Sequence, residues 1–92
     1  MYLLHKKFLI DIIIALRDAP LAFNEIQSRL KIYSDTLSRR LKELEEFGVI
    51  EASITQEEKG KRVRYRLTDK GNKIAILVVE GVKILETAEE LL

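Results

Sequence analysis

Two groups of side chains have the types and spacing to act on a polyanion. Ser38, Arg39, Arg40 and Lys42 lie within one helical stretch, and Lys59, Lys61, Arg62, Arg64 and Arg66 follow in a hairpin-like stretch. Arginine and lysine neutralise phosphates, and arginine can hydrogen-bond the edges of bases. A helix of this kind fits the major groove of a duplex, and a basic hairpin can reach the neighbouring backbone or minor groove.

The bulk charge hides this pattern, because the 92 residues sum to a formal net charge of only +1. Residues 29–42 carry a net +4, residues 43–58 a net −6, residues 59–73 a net +6 and residues 80–92 a net −3. Positive charge is therefore gathered in two blocks, and both fall in the suspected contacting elements.

Other chemistries are hard to build from this composition. The sequence has no cysteine, which excludes a thiolate nucleophile, a cysteine zinc site and a thiol redox sensor. His5 is the only histidine, so neither a histidine metal site nor a Ser-His-Asp triad is expected. No paired carboxylates, phosphate loop or nucleophile elbow stand out. The reading is therefore no enzyme, no metal and no cofactor. Absence of cysteine suits a reducing interior, and the expected location is cytoplasmic. Lys6 and Lys7 before the apolar run Phe8–Leu16 could suggest a signal peptide, but Asp11 interrupts the run and no clean cleavage site follows. No stretch approaches the ~18 apolar residues of a membrane span.

The elements that must position the basic residues follow from periodicity. Leu4, Phe8, Ile12 and Ala15 or Leu16 recur at helical spacing and predict a helix over residues 2–18, stopped by Pro20. Asn24 and Gln27 form a candidate capping box for a helix over 24–30. After a turn at Lys31–Tyr33, Ser34 is expected to cap a helix over 34–47. Its inward stripe is Leu37, Leu41 and Leu44, with Phe47 nearby, and Gly48 ends it. A hairpin is expected over 49–67, where Val63, Tyr65 and Leu67 alternate with Arg62, Arg64 and Arg66. Thr68 should cap a last helix running over 68–90. A chain of this length supports one domain and one modest core.

With Leu37, Leu41 and Leu44 inward, Asp35, Arg39, Lys42 and Glu46 lie opposite, and Thr36, Ser38, Arg40 and Glu43 lie on the flanks. The N-terminal half offers hydroxyls and arginines and the C-terminal half is acidic. That asymmetry suits a helix whose start meets base edges. A solvated helix with Arg39–Glu43 and Lys42–Glu46 pairs is the plainer alternative. On the hairpin, three arginines on one face repel one another unless an anion neutralises them. The DNA-binding set expected from this reading is Ser34, Asp35, Thr36, Ser38, Arg39, Arg40 and Lys42 on the helix, with Lys59, Lys61, Arg62 and Arg64 on the hairpin.

The whole arrangement resembles a winged helix-turn-helix regulator of the MarR, HxlR and ArsR group. The segment Thr36–Ile50, TLSRRLKELEEFGVI, resembles that group's recognition helix and first wing strand. Pro20–Ile26, PLAFNEI, is similar to the HxlR-type entry into the second helix, and Tyr65–Gly71, YRLTDKG, resembles the end of the wing and the start of the helix after it. The implied fold is mainly α with a small antiparallel β-hairpin, a winged helix-turn-helix with an added C-terminal dimerisation helix. The resemblance implies a sequence-specific regulator of transcription that binds double-stranded DNA as a homodimer through its first and last helices. The apolar arcs of those helices are broader than one small domain needs, which puts Leu4, Ile10, Ile13, Ile14, Leu77, Val78, Ile84, Leu85 and Leu91 at the expected dimer surface. No membrane partner is expected, and the sequence specifies no small-molecule effector. The alternative is a winged-helix module whose basic face meets an acidic protein.

Overall fold

The computed structural model describes residues 6–92. The element order is α1 (Leu9–Asp18), α2 (Phe23–Leu30), α3 (Ser34–Glu46), β1 (Ile50–Glu57), β2 (Gly60–Leu67) and α4 (Asp69–Glu90). The strands pair antiparallel in register Ile50↔Leu67 to Glu57↔Gly60, around a two-residue turn. Leu21, from the link between α1 and α2, adds a single bridge to the outer edge of β2 at Tyr65, with two backbone hydrogen bonds of 3.0 and 2.8 Å.

One core joins all six elements. Leu9, Ile12, Ile13 and Leu16 of α1 pack with Ile26, with Leu37, Leu41 and Leu44 of α3, with Val49, Ile50 and Leu67 of the hairpin, and with Ala75 of α4. The helical stripe on α3 is the one its leucine spacing predicts. Gly48 closes α3 in a Schellman motif: its φ is 71°, its N–H donates to Glu45 O, and the N–H of Val49 donates to Leu44 O.

Several boundaries differ from the sequence-based expectation, each for a local reason. Within the described residues the first helix begins at Leu9, not earlier, because Phe8 sits at φ 72°. Leu4 lies outside the described residues. Asn24 is not the cap of α2. That position is Ala22, whose N–H donates to Glu25 Oε1 at 2.9 Å, so half of a capping box is built two residues earlier. Ser34 is the first residue of α3, and Tyr33 occupies the cap position without a side-chain cap. Phe47 is 54% exposed, outside the leucine stripe. Val63 was expected to face the core, but the eight-residue strands outrun it, leaving Val63 and its partner Ile54 exposed.

Thr68 caps α4, accepting from the Gly71 N–H at 3.0 Å. Its own N–H donates to the Val49 carbonyl at 3.0 Å and its hydroxyl to the Gly48 carbonyl at 2.5 Å. Gly71 lies directly on that carbonyl, and a Cβ there would overlap the Val49 oxygen. The helix is 22 residues, about 33 Å long. Only its first half packs on the core, so the molecule measures 52 × 27 × 26 Å.

Candidate nucleic-acid interface

The start of α3 presents a polar, cationic surface. Ser34, Asp35, Ser38, Arg39 and Lys42 are exposed and Thr36 is half-buried beside them. Tyr33, just before the helix, is 87% exposed and does not cover the core. Tyr33 makes no side-chain cap to this helix start, which leaves its first-turn N–H groups without an intrahelical partner.

The pairs expected of a merely solvated helix do not form. Arg39 and Lys42 have no acidic partner among the described residues. Glu43 is engaged instead by Arg40, three residues earlier, and by Lys6 from the segment before α1. Arg40 Nε also donates to the Lys7 carbonyl at 3.1 Å. The Lys6 hydrogen bond, then Arg40, holds the Glu43 carboxyl below its ordinary value, against partial desolvation. Arg40 was expected among the contacting residues, but its side chain is largely covered and turned inward.

The wing arginines find internal anions as well. Arg66 pairs with Glu51 at 2.8 Å, directly across the hairpin. Arg64 pairs with Glu57 at 2.7 Å and reaches Thr55 Oγ1 at 3.2 Å. Arg62 reaches Glu25 of α2 at 3.3 Å. The arginine face therefore does not depend on an outside anion for neutralisation. Glu25 is held low by the Ala22 N–H first, then by the charges of Arg62, Arg64 and Arg29, with desolvation opposing. The exposed Lys59 and Lys61, at and beside the turn, are the wing cations without an acidic partner among the described residues. Burial, helped by the charge of Glu45, raises the Tyr65 hydroxyl above its ordinary value, as befits a ring between core and surface.

Sequence reasoning missed Glu25, Lys6 and Glu43 as organising residues. Glu25 left one trace, its spacing of three from Ala22. Lys6 left none, because its partner is 37 residues away. Among the described residues no cluster of His, Cys, Asp and Glu could hold a metal. No described helix is long and apolar enough to cross a membrane.

Of the expected dimer residues, Ile13 is fully buried in the core and is corrected to a packing residue. Ile10, Ile14 and Val78 are half-buried, and Leu77, Ile84, Leu85 and Leu91 are exposed.

A helix-turn-helix of α2 and α3, followed by a hairpin wing and a long helix, is the winged helix-turn-helix fold of DNA-binding transcription regulators. Residues 3–89 match the HxlR-like helix-turn-helix family, and the chain belongs to that family. A search of curated protein sequences finds no match. Among solved structures, the chain is similar to the reduced form of the transcriptional regulator YodB from B. subtilis, at 34% identity and a TM-score of 0.81, covering 88% of this chain and 79% of YodB. It is also similar to a single-site mutant of Lactococcus lactis ZitR, at 26% identity and a TM-score of 0.78; that match covers 94% of this chain but spans only 59% of ZitR. A PadR family transcription regulator from Clostridium difficile shares the fold, at 17% identity and a TM-score of 0.79 over 91% of this chain and 96% of that one. YodB has also been solved quinone-bound and diamide-treated.

Proposed function

We propose that the protein regulates transcription as a homodimer that binds duplex DNA in a sequence-specific way. In this reading α3 enters the major groove and the wing tip lies on the backbone or minor groove. The observation that carries it is the unpaired state of Arg39 and Lys42 among the described residues, beside Ser34, Asp35, Thr36 and Ser38, on the exposed start of a helix whose Glu43 is engaged elsewhere. Serine and arginine there have the reach and donors to read base edges, and uncapped N–H groups suit a phosphate.

The wing contributes through Lys59 and Lys61, with Arg62 and Arg64 available to phosphates only by leaving their glutamates. Electrostatic attraction to the backbone then supplies affinity that is common to all sequences.

Pairing rests on the outward apolar face of α4. Ile76, Leu77, Ile84, Leu85 and Leu91 are each 60% exposed or more, an apolar surface rare on a small soluble monomer. With half-buried Ile10 and Ile14, these residues suit an isologous two-fold contact. Two recognition helices related by that axis would meet half-sites about 34 Å apart, one DNA turn, or a multiple of it. Selection of bound sites from random duplexes is the test. A palindromic consensus is expected, and a bound pool without enriched sequence refutes specific reading.

A further inference from the structure

The segment ahead of α1 is tied to the recognition helix by three linked contacts. Lys6 Nζ and Arg40 Nη1 both donate to the Glu43 carboxylate, and Arg40 Nε donates to the Lys7 carbonyl at 3.1 Å. In a helix continued backward from α1, the Lys7 carbonyl would accept from the Asp11 N–H. Here it faces Arg40, and the chain turns away at Phe8 with φ 72°, a value that costs a residue with a side chain some backbone strain. The ring of Phe8 packs on the core, with the Lys7 ammonium 5.1 Å above it. Arg40 and Glu43 are largely covered, so the contacts are more shielded than an ordinary surface pair.

We propose that Lys6, Arg40 and Glu43 are positioning residues for DNA reading: without touching DNA, they lock α3 to the segment that precedes α1. This rests on the reading of α3 as the element that reads duplex DNA. The physical need is clear from the rest of the interface. The leucine stripe holds α3 by one apolar face, and apolar contact is non-directional, so it fixes orientation less sharply than a directed hydrogen bond. A bidentate arginine contact to a base does not tolerate a loosely fixed orientation. The guanidinium of Arg40, gripping a carboxylate on its own helix and a carbonyl on a neighbouring segment, removes that freedom. Arg39 and Arg40 thus divide the work: the first faces outward to ligand and the second holds the helix in place.

The experiment compares Arg40→Ala, Lys6→Ala and Arg39→Ala in the full chain, each checked by circular dichroism to be folded at the assay temperature. The probe is the duplex enriched from the random pool, titrated over a range of salt. Arg40→Ala is expected to weaken binding about tenfold, the equivalent of one charge-assisted hydrogen bond, with an unchanged log–log salt slope. Lys6→Ala should weaken it less, also with slope unchanged, and the two losses should not add because both act through Glu43. Arg39→Ala should reduce the preference for the enriched duplex over random duplex. A slope lowered by Arg40→Ala would make Arg40 a phosphate contact and overturn the proposal, as would unchanged affinity in both clamp variants. Should Arg40→Ala fail to fold, Lys6→Ala alone decides by the same criteria. If the parent protein enriches no duplex, the DNA reading fails by itself. The clamp is then judged on amide chemical shifts of the free protein: Lys6→Ala must perturb Ser34–Arg39, and changes confined to the neighbourhood of residue 6 overturn it.

Discussion

Gly71→Ala sets two effects of opposite sign against each other. On helix propensity alone, alanine in place of glycine stabilises by up to about 1 kcal/mol. Position 71, however, lies against the chain leaving α3. An added Cβ would overlap the Val49 carbonyl oxygen and crowd the Val49 carbon at 3.1 Å and Leu67 Cβ at 3.3 Å. The obstructing atom is backbone and cannot swing aside as a side chain can. That oxygen already accepts from the Thr68 N–H, so moving α4 outward stretches the contact at its cap. Overpacking of this kind costs about 1–3 kcal/mol, and loss of one backbone hydrogen bond costs about 1 kcal/mol more. After the propensity gain, the net destabilisation is about 2 kcal/mol, which for a domain of this size lowers Tm by roughly 8–16 °C. Thermal unfolding followed by circular dichroism at fixed protein concentration measures it. A Tm equal to or above the parent's would show that the close approach of α4 to Val49 is wrong, and with it the placement of α4 against the end of α3.

Ser38→Ala and Arg39→Ala should weaken binding to the enriched duplex more than to random duplex, the arginine by about 1–3 kcal/mol if its contact is bidentate. Equal losses on both would remove α3 as the reader. Lys59→Ala and Lys61→Ala should each reduce the salt slope by about 0.9, whereas Arg66→Ala, whose guanidinium is spent on Glu51, should leave it unchanged; the reverse order would return the wing contact to the arginines. Ile84→Glu, at a position 68% exposed in the single chain, should leave the fold intact and halve the mass seen by light scattering. An unchanged mass would place the pairing surface elsewhere. Glu25 and Glu43 are both held below their ordinary value of 4.5 in the folded chain. The unfolded chain therefore takes up protons first as pH falls, so their contribution is complete above about pH 4.5 and is lost as pH falls through their folded values. Denaturant midpoints across that acid range should show the loss, and Glu43→Gln should flatten it; an unflattened profile would assign the acid sensitivity to other carboxylates.

Much of this architecture is written in short-range pattern. The Leu37, Leu41 and Leu44 spacing can bury itself only as a helix, Gly48 supplies the left-handed residue that ends it, and Thr68 offers its hydroxyl to the N–H three residues on. The alternation over Arg62–Leu67 marks a strand in the same way. These signals survive because each involves residues within a turn or two of one another, where backbone sterics set the geometry whatever packs around them. Partners far apart in the chain carry no such signal. Arg62, Arg64 and Arg66 read as a face waiting for phosphate, yet the hairpin register brings Glu51 across from Arg66, and the packing of α2 brings Glu25 to Arg62. Arg40 and Arg39 are adjacent in sequence and equally basic. One turns toward Lys6 and Lys7 and the other toward solvent, because the segment leading into α1 covers one flank of α3. Ile13 and Ile14 divide likewise between the core and a half-exposed flank of α1. Which charge is free to meet a ligand depends on the whole set of neighbours that folding assembles, since an ion pair forms through space and periodicity records only what lies along the chain.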